Sequence, residues 1–188
     1  MKKLSVVFVM LLVAVSIFQT VSGQIQIFGK YTENGAIEPD FNVFGYGPKL
    51  DSLGKFKISY FALVEEKWAE GLIGVSYSPT KWCELGLQVG IETISSLYRT
   101  SGSVWIGNDK VSFFTCVERG IGADNWWYKS TVAYTFNKNV SLGLLSWRYN
   151  GTGVIAKYTI NGVSVWVNPA YDFEIKVKRL TVGLDFKI

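Results

Sequence analysis

The side chains able to carry acid–base or nucleophilic chemistry are few. The chain has no histidine and only two cysteines, Cys83 and Cys116. That excludes the serine-hydrolase triad, histidine metal sites and thiolate zinc clusters. The glycines of 71–74 and 151–153 lack the spacing of a phosphate-binding loop. Carboxylates remain, and glycoside hydrolysis needs only two of them held about 5 to 10 Å apart. The pair Glu65 and Glu66 falls in a turn and reads as a solvated hairpin tip. Glu92, Glu174 and Asp185 alternate into the same rows as Gln88, Lys129, Lys157, Lys176 and Lys187. Buried charges are tolerated when paired, so these rows are expected to form an ion-paired interior rather than a catalytic site. No catalytic residue, metal site or cofactor is expected, and the protein is not expected to be an enzyme.

The elements that would position these residues are strands. Leu85, Leu87, Val89 and Ile91 alternate with Gly86, Gln88, Gly90 and Glu92, and Leu180, Val182, Leu184, Phe186 and Ile188 alternate with Thr181, Gly183, Asp185 and Lys187. Period two is the strand signature. The same pattern runs through 56–62, 128–136 and 171–177. Turn signals separate the runs: 78–81, 107–110, 137–139, 150–153, Asn161-Gly162 and 168–170. Asn-Gly suits a hairpin turn because both central residues need positive φ. A meander of short hairpins predicts an all-β, antiparallel up-and-down barrel of about 10 to 12 strands. Residues 24–54 are broken by glycine and proline and are expected as an irregular arm or a first strand. Alternation puts Cys83 and Cys116 on opposite faces, so two free thiols are expected.

Residues 1–23 read as a secretory signal peptide. Lys2 and Lys3 precede an apolar run from Val6 to Val15, and Val21, Ser22 and Gly23 offer slim residues before Gln24. The run ends at Gln19 and Thr20, short of the roughly 20 apolar residues of a spanning helix. The remaining 24–188 form one barrel domain. Without Lys2 and Lys3, 17 basic residues face 15 acidic ones. That balance gives no electrostatic case for a nucleic-acid partner.

Alternation alone leaves open which way the apolar rows point. A soluble ligand-binding barrel is apolar inside, and a membrane barrel is apolar outside. Strand glycines such as Gly86, Gly90, Gly143 and Gly183 on the polar face favour a cramped polar interior. Trp68, Trp82, Trp126, Trp127, Tyr128, Trp147 and Tyr149 lie near predicted strand ends, where membrane barrels carry aromatic girdles. With its alternating strand from Leu180 to Ile188, the chain resembles bacterial outer-membrane β-barrel proteins. The resemblance implies an outer-membrane location, a lipid bilayer as partner, and a last strand read by barrel-assembly machinery. The expected function is a structural barrel or a narrow porin-like channel for small polar solutes, with homo-oligomers left open. The alternative is a soluble exported, lipocalin-like barrel, periplasmic or extracellular, that binds an apolar ligand.

Overall fold

The computed structural model describes residues 22–33, 35, 37–93 and 98–188. The expected leader falls outside these residues up to position 21, and Ser22 and Gly23 already belong to the first strand. Among the described residues there are twelve strands: β1 (Ser22–Thr32), β2 (Ile37–Lys49), β3 (Phe56–Glu65), β4 (Ala69–Thr80), β5 (Cys83–Glu92), β6 (Arg99–Gly107), β7 (Val111–Gly120), β8 (Trp126–Thr135), β9 (Val140–Trp147), β10 (Gly151–Ile160), β11 (Val163–Asp172) and β12 (Val177–Lys187). Each pairs antiparallel with its chain neighbours, and β12 returns to β1, closing the barrel. Closure leaves no sheet edge, and an even strand number brings Ser22 and Ile188 to one end. There the amide and carbonyl of Gly23 bond to the carbonyl and amide of Ile188, at 3.1 and 3.0 Å. This is called the proximal end below.

Local chemistry sets the turns. At 161–162, Asn161 and Gly162 have φ of 49° and 84°, the paired positive values of a type I′ turn. At 173–176, Asp172 Oδ1 accepts from the amides of Glu174 and Ile175, and Lys176 takes φ 59°. That aspartate-capped turn corrects the strand expected over 171–177, since a side-chain acceptor two residues back competes with strand extension. The proximal turns include the two-residue connections at 81–82 and 161–162, and the last hairpin turns at the distal end.

Two other expectations change. Residues 24–54 supply most of β1 and all of β2, two strands where an irregular arm or a first strand was expected, with Pro39 tolerated because it lies beyond the last pairing to β3, at Asp40. The expected turn at 168–170 lies inside β11. There the ladder to β10 lapses between Gly153 and Ala156, and the Asn168 side chain donates to the Val154 carbonyl at 2.9 Å. A lapse in pairing is where a strand accepts proline.

The polarity of the wall is unambiguous. Leu87 is 75% exposed, Val89 61%, Ile73 53% and Leu144 58%, whereas their neighbours in the alternate phase face the interior. Both ends of this outer apolar wall carry exposed rings: Tyr31, Tyr98, Trp126 and Tyr171 distally, and Phe56, Trp82, Tyr134 and Phe136 proximally. Outward hydroxyls that interrupt the wall bond to one another, Thr115 to Ser130 at 2.8 Å and Ser146 to Thr152 at 2.7 Å.

Candidate functional site in the barrel lumen

The inward phase of the strands encloses a cavity of about 590 Å³. It runs lengthwise, from Ser22, Glu84 and Lys187 at the proximal end to Glu65, Trp68 and Asn150 at the distal end. Its wall mixes amides and hydroxyls (Gln26, Asn42, Ser59, Gln88, Ser101) with aromatic faces (Tyr46, Trp68, Trp127, Trp147) and charges.

The charges are organised into paired groups that cross strands. In the distal half, Arg99 is fully buried among three carboxylates. Its Nε lies 2.7 Å from Glu70 Oε2 and donates to Glu118 Oε2 at 2.8 Å, and its Nη1 donates to Glu92 Oε2 at 2.8 Å. Asn125 adds an acceptor for Nη1 at 2.9 Å and donates to Glu92 at 2.5 Å. The Trp68 ring lies 4.7 Å from the guanidinium carbon, so this one cation of β6 is held by three other strands and two connections. Arginine suits this position because its planar fork addresses several carboxylates at fixed angles. A second group joins Lys30 to Asp40 at 2.9 Å and to Glu65 at 3.1 Å. A third centres on Asp185, which accepts from Gln26 Nε2 at 2.8 Å, Trp166 Nε1 at 2.8 Å and Lys157 at 2.5 Å. Near the proximal mouth, Glu84 accepts from Tyr46 and from Ser78 at 3.1 Å, with Lys57 3.8 Å away.

Lys129 is different. Its ammonium sits over the Trp147 ring, 4.6 Å from the centroid, and among the described residues no carboxylate lies within ion-pair distance. It borders the open cavity.

Among the residues expected in the lumen, Gln88, Glu92, Lys129, Lys157 and Asp185 face inward. Gln88 donates to Ser59 at 3.1 Å. Lys187 reaches the cavity at the proximal mouth. Glu174 and Lys176 do not face the lumen, because the capped turn at 173–176 removes them from the strand phase and leaves both exposed. Glu65, expected at a solvated hairpin tip, is the inward end of β3, while Glu66 stays exposed.

The aromatic residues divide. Trp82, Trp126 and Tyr149 are exposed at the barrel ends, and Tyr128 stacks beside Trp126 with centroids 5.7 Å apart. Trp68, Trp127 and Trp147 instead line the cavity. For Trp127 the reason is the strand period itself: in a run of three rings the middle one must point to the other face, here opposite Glu118. Trp147 shares the inward phase with its partner Lys129. Both cysteines are free, with Cys116 bordering the cavity and Cys83 in the outward phase of Leu85 and Leu87.

Lys30, Asp40, Glu70, Arg99 and Glu118 were not among the residues expected in the lumen. Glu118 carried a signal, since it alternates against Val117, but the partners of these groups are strands away and become visible only once register is known.

No family model matches the chain, and no curated protein matches it. Solved structures do. The barrel is similar to the KdgM porin, with a TM-score of 0.64 and 13% identity over 88% of this chain and 99% of that one. It is similar to the KdgM porin in complex with disordered oligogalacturonate, with a TM-score of 0.61 and 14% identity over 88% and 99% of the two chains. The NanC porin follows at 0.53 and 10% identity, over 87% of this chain and all of that one. At these identities the likeness shows the fold: the chain has the barrel architecture of solved porins.

Proposed function

We propose that the chain is an outer-membrane β-barrel that passes small polar solutes through a narrow lumen, made with an amino-terminal leader that is removed on export ahead of the first strand. The observation that carries this reading is the polarity of the wall. Leu85, Leu87, Val89 and Ile91 are all exposed on the outside, while Glu92, Arg99, Glu118 and Asp185 are buried within. Such a wall suits hydrocarbon outside and water inside. A soluble barrel built to hold an apolar ligand would be wall-to-wall reversed. The lengthwise cavity supports a path, and the fold shared with solved porins supports the same reading. Passage would be diffusion beside paired charges and aromatic faces, without a chemical step.

Proteoliposome swelling tests this. Vesicles carrying the purified barrel are expected to swell in an isotonic monosaccharide and to respond less as the sugar grows. Recovery of the protein in the soluble fraction without detergent, or vesicles that never swell, would contradict it.

A further inference from the structure

The cavity uses only part of the barrel's cross-section. Strands β1 to β8 line it, β9 contributes Trp147, β12 reaches it only with Lys187 at the proximal mouth, and among the described residues none from β10 or β11 borders it. The other part of the interior is filled. Trp166 is 2% exposed, and Asn168 and Thr181 are wholly enclosed. The Trp166 indole lies against Gly183, the residue paired with it on β12, where an added Cβ would run into the ring. On another side it packs on Phe28, with centroids 5.6 Å apart, and Phe28 packs in turn on Trp147 at 5.4 Å. The edge of the indole is fixed by its bond to Asp185, itself held by Gln26 and Lys157. Glycine beneath, phenylalanine alongside and a carboxylate at the edge leave this ring little rotamer freedom.

We propose that Trp166 is the keystone of an aromatic wedge, with Phe28 and Trp147, that confines the lumen to the β1–β8 side and sets the largest solute that passes. The inference rests on the channel reading above. Trp166 sets the width of the path, and the solute meets the cavity face of the wedge at Trp147. The surroundings of Trp166 are polar: Asn168 Oδ1 and Thr181 Oγ1 are buried without a hydrogen-bond partner, and Lys157 and Asp185 stand nearby. Space vacated by the indole would therefore fill with water instead of staying a dry hole, because polar cavities hydrate and apolar ones do not. Hydrated space continuous with the lumen is conducting space.

Swelling of proteoliposomes in a graded series of neutral sugars reads the cutoff directly. For Trp166→Ala, the first sugar excluded by the wild type should raise the swelling rate from background to within a few fold of the wild-type rate for its smallest sugar. Trp166→Phe keeps an aromatic ring in the same place with less volume and without the bond to Asp185, and should keep a cutoff closer to wild type than Trp166→Ala does. A folded, heat-modifiable Trp166→Ala barrel with an unchanged cutoff would overturn the wedge. If that variant does not fold, Trp166→Leu leaves a smaller apolar filler and carries the same expectation and the same refutation. Wild-type vesicles that admit no sugar would instead refute the channel reading, and the wedge with it.

Discussion

Arg99 is the residue on which the interior depends most. It answers three carboxylates from β4, β5 and β7, all of them buried with it. Removing one partner of a buried ion pair typically costs about 3–5 kcal/mol, because the remaining charge stays in the interior without compensation. Arg99→Leu is expected to destabilise the barrel by about that amount, and Arg99→Lys by less, since a single ammonium keeps the charge but cannot address the same carboxylates as a fork. Urea unfolding into and out of phospholipid vesicles measures both. Equal stability for Arg99→Leu and wild type would mean that these carboxylates do not need their cation. The interior polar row was legible in the sequence as alternation, and Gln88, Glu92 and Asp185 were placed from it. Arg99 was not, because its meaning comes from Glu70, Glu92 and Glu118 meeting across three strand registers. Trp147 shows the opposite failure: its type suggested a membrane interface, and its phase in β9 puts it inside.

At the scale of the element, each strand has one face for each solvent. β5 is the clearest case, with Leu85, Leu87, Val89 and Ile91 outward and Gln88 and Glu92 inward. Leu87 lies near the middle of this strand, so Leu87→Arg puts a charge deep in the apolar wall. In a bilayer this is expected to cost about 2–4 kcal/mol by vesicle unfolding. A water-facing position would change by only about 0.5 kcal/mol, so a neutral result would place this wall in water. Strand phases were readable because period two survives without tertiary information. Turns were readable where glycine sets the geometry, as at Asn161-Gly162, and misread where a side chain does. Asp172 caps a turn inside an apparently alternating run, and Pro169 looks like a breaker but occupies a lapse in the β10–β11 ladder. The glycines of β2 misled in the same way: Gly45 is a strand residue paired with Gly23 of β1, and the Tyr60 hydroxyl from β3 lies over both on the outer side.

For the whole molecule, closure turns twelve amphipathic strands into one object with an apolar outside and a charged, partly open inside. Closure could be argued from the sequence, since a long meander otherwise leaves two unpaired edges. The direction of the apolar rows could not, because alternation is symmetric between a lipid-facing and a core-facing wall. The filling of one side of the lumen by Trp166, Phe28 and Trp147 was equally invisible, as it joins residues from β1, β9 and β11. Solute is expected to move through this lumen, past Lys129. Because Lys129 borders the cavity without a carboxylate partner among the described residues, reversing its charge breaks no ion pair. Planar-bilayer recording across a salt gradient reads this passage in single channels. The wild type is expected to open in small, uniform conductance steps, and Lys129→Glu to keep the steps while its reversal potential moves toward cation preference. Inserted protein without steps, or a reversal potential that does not move in Lys129→Glu, would contradict it.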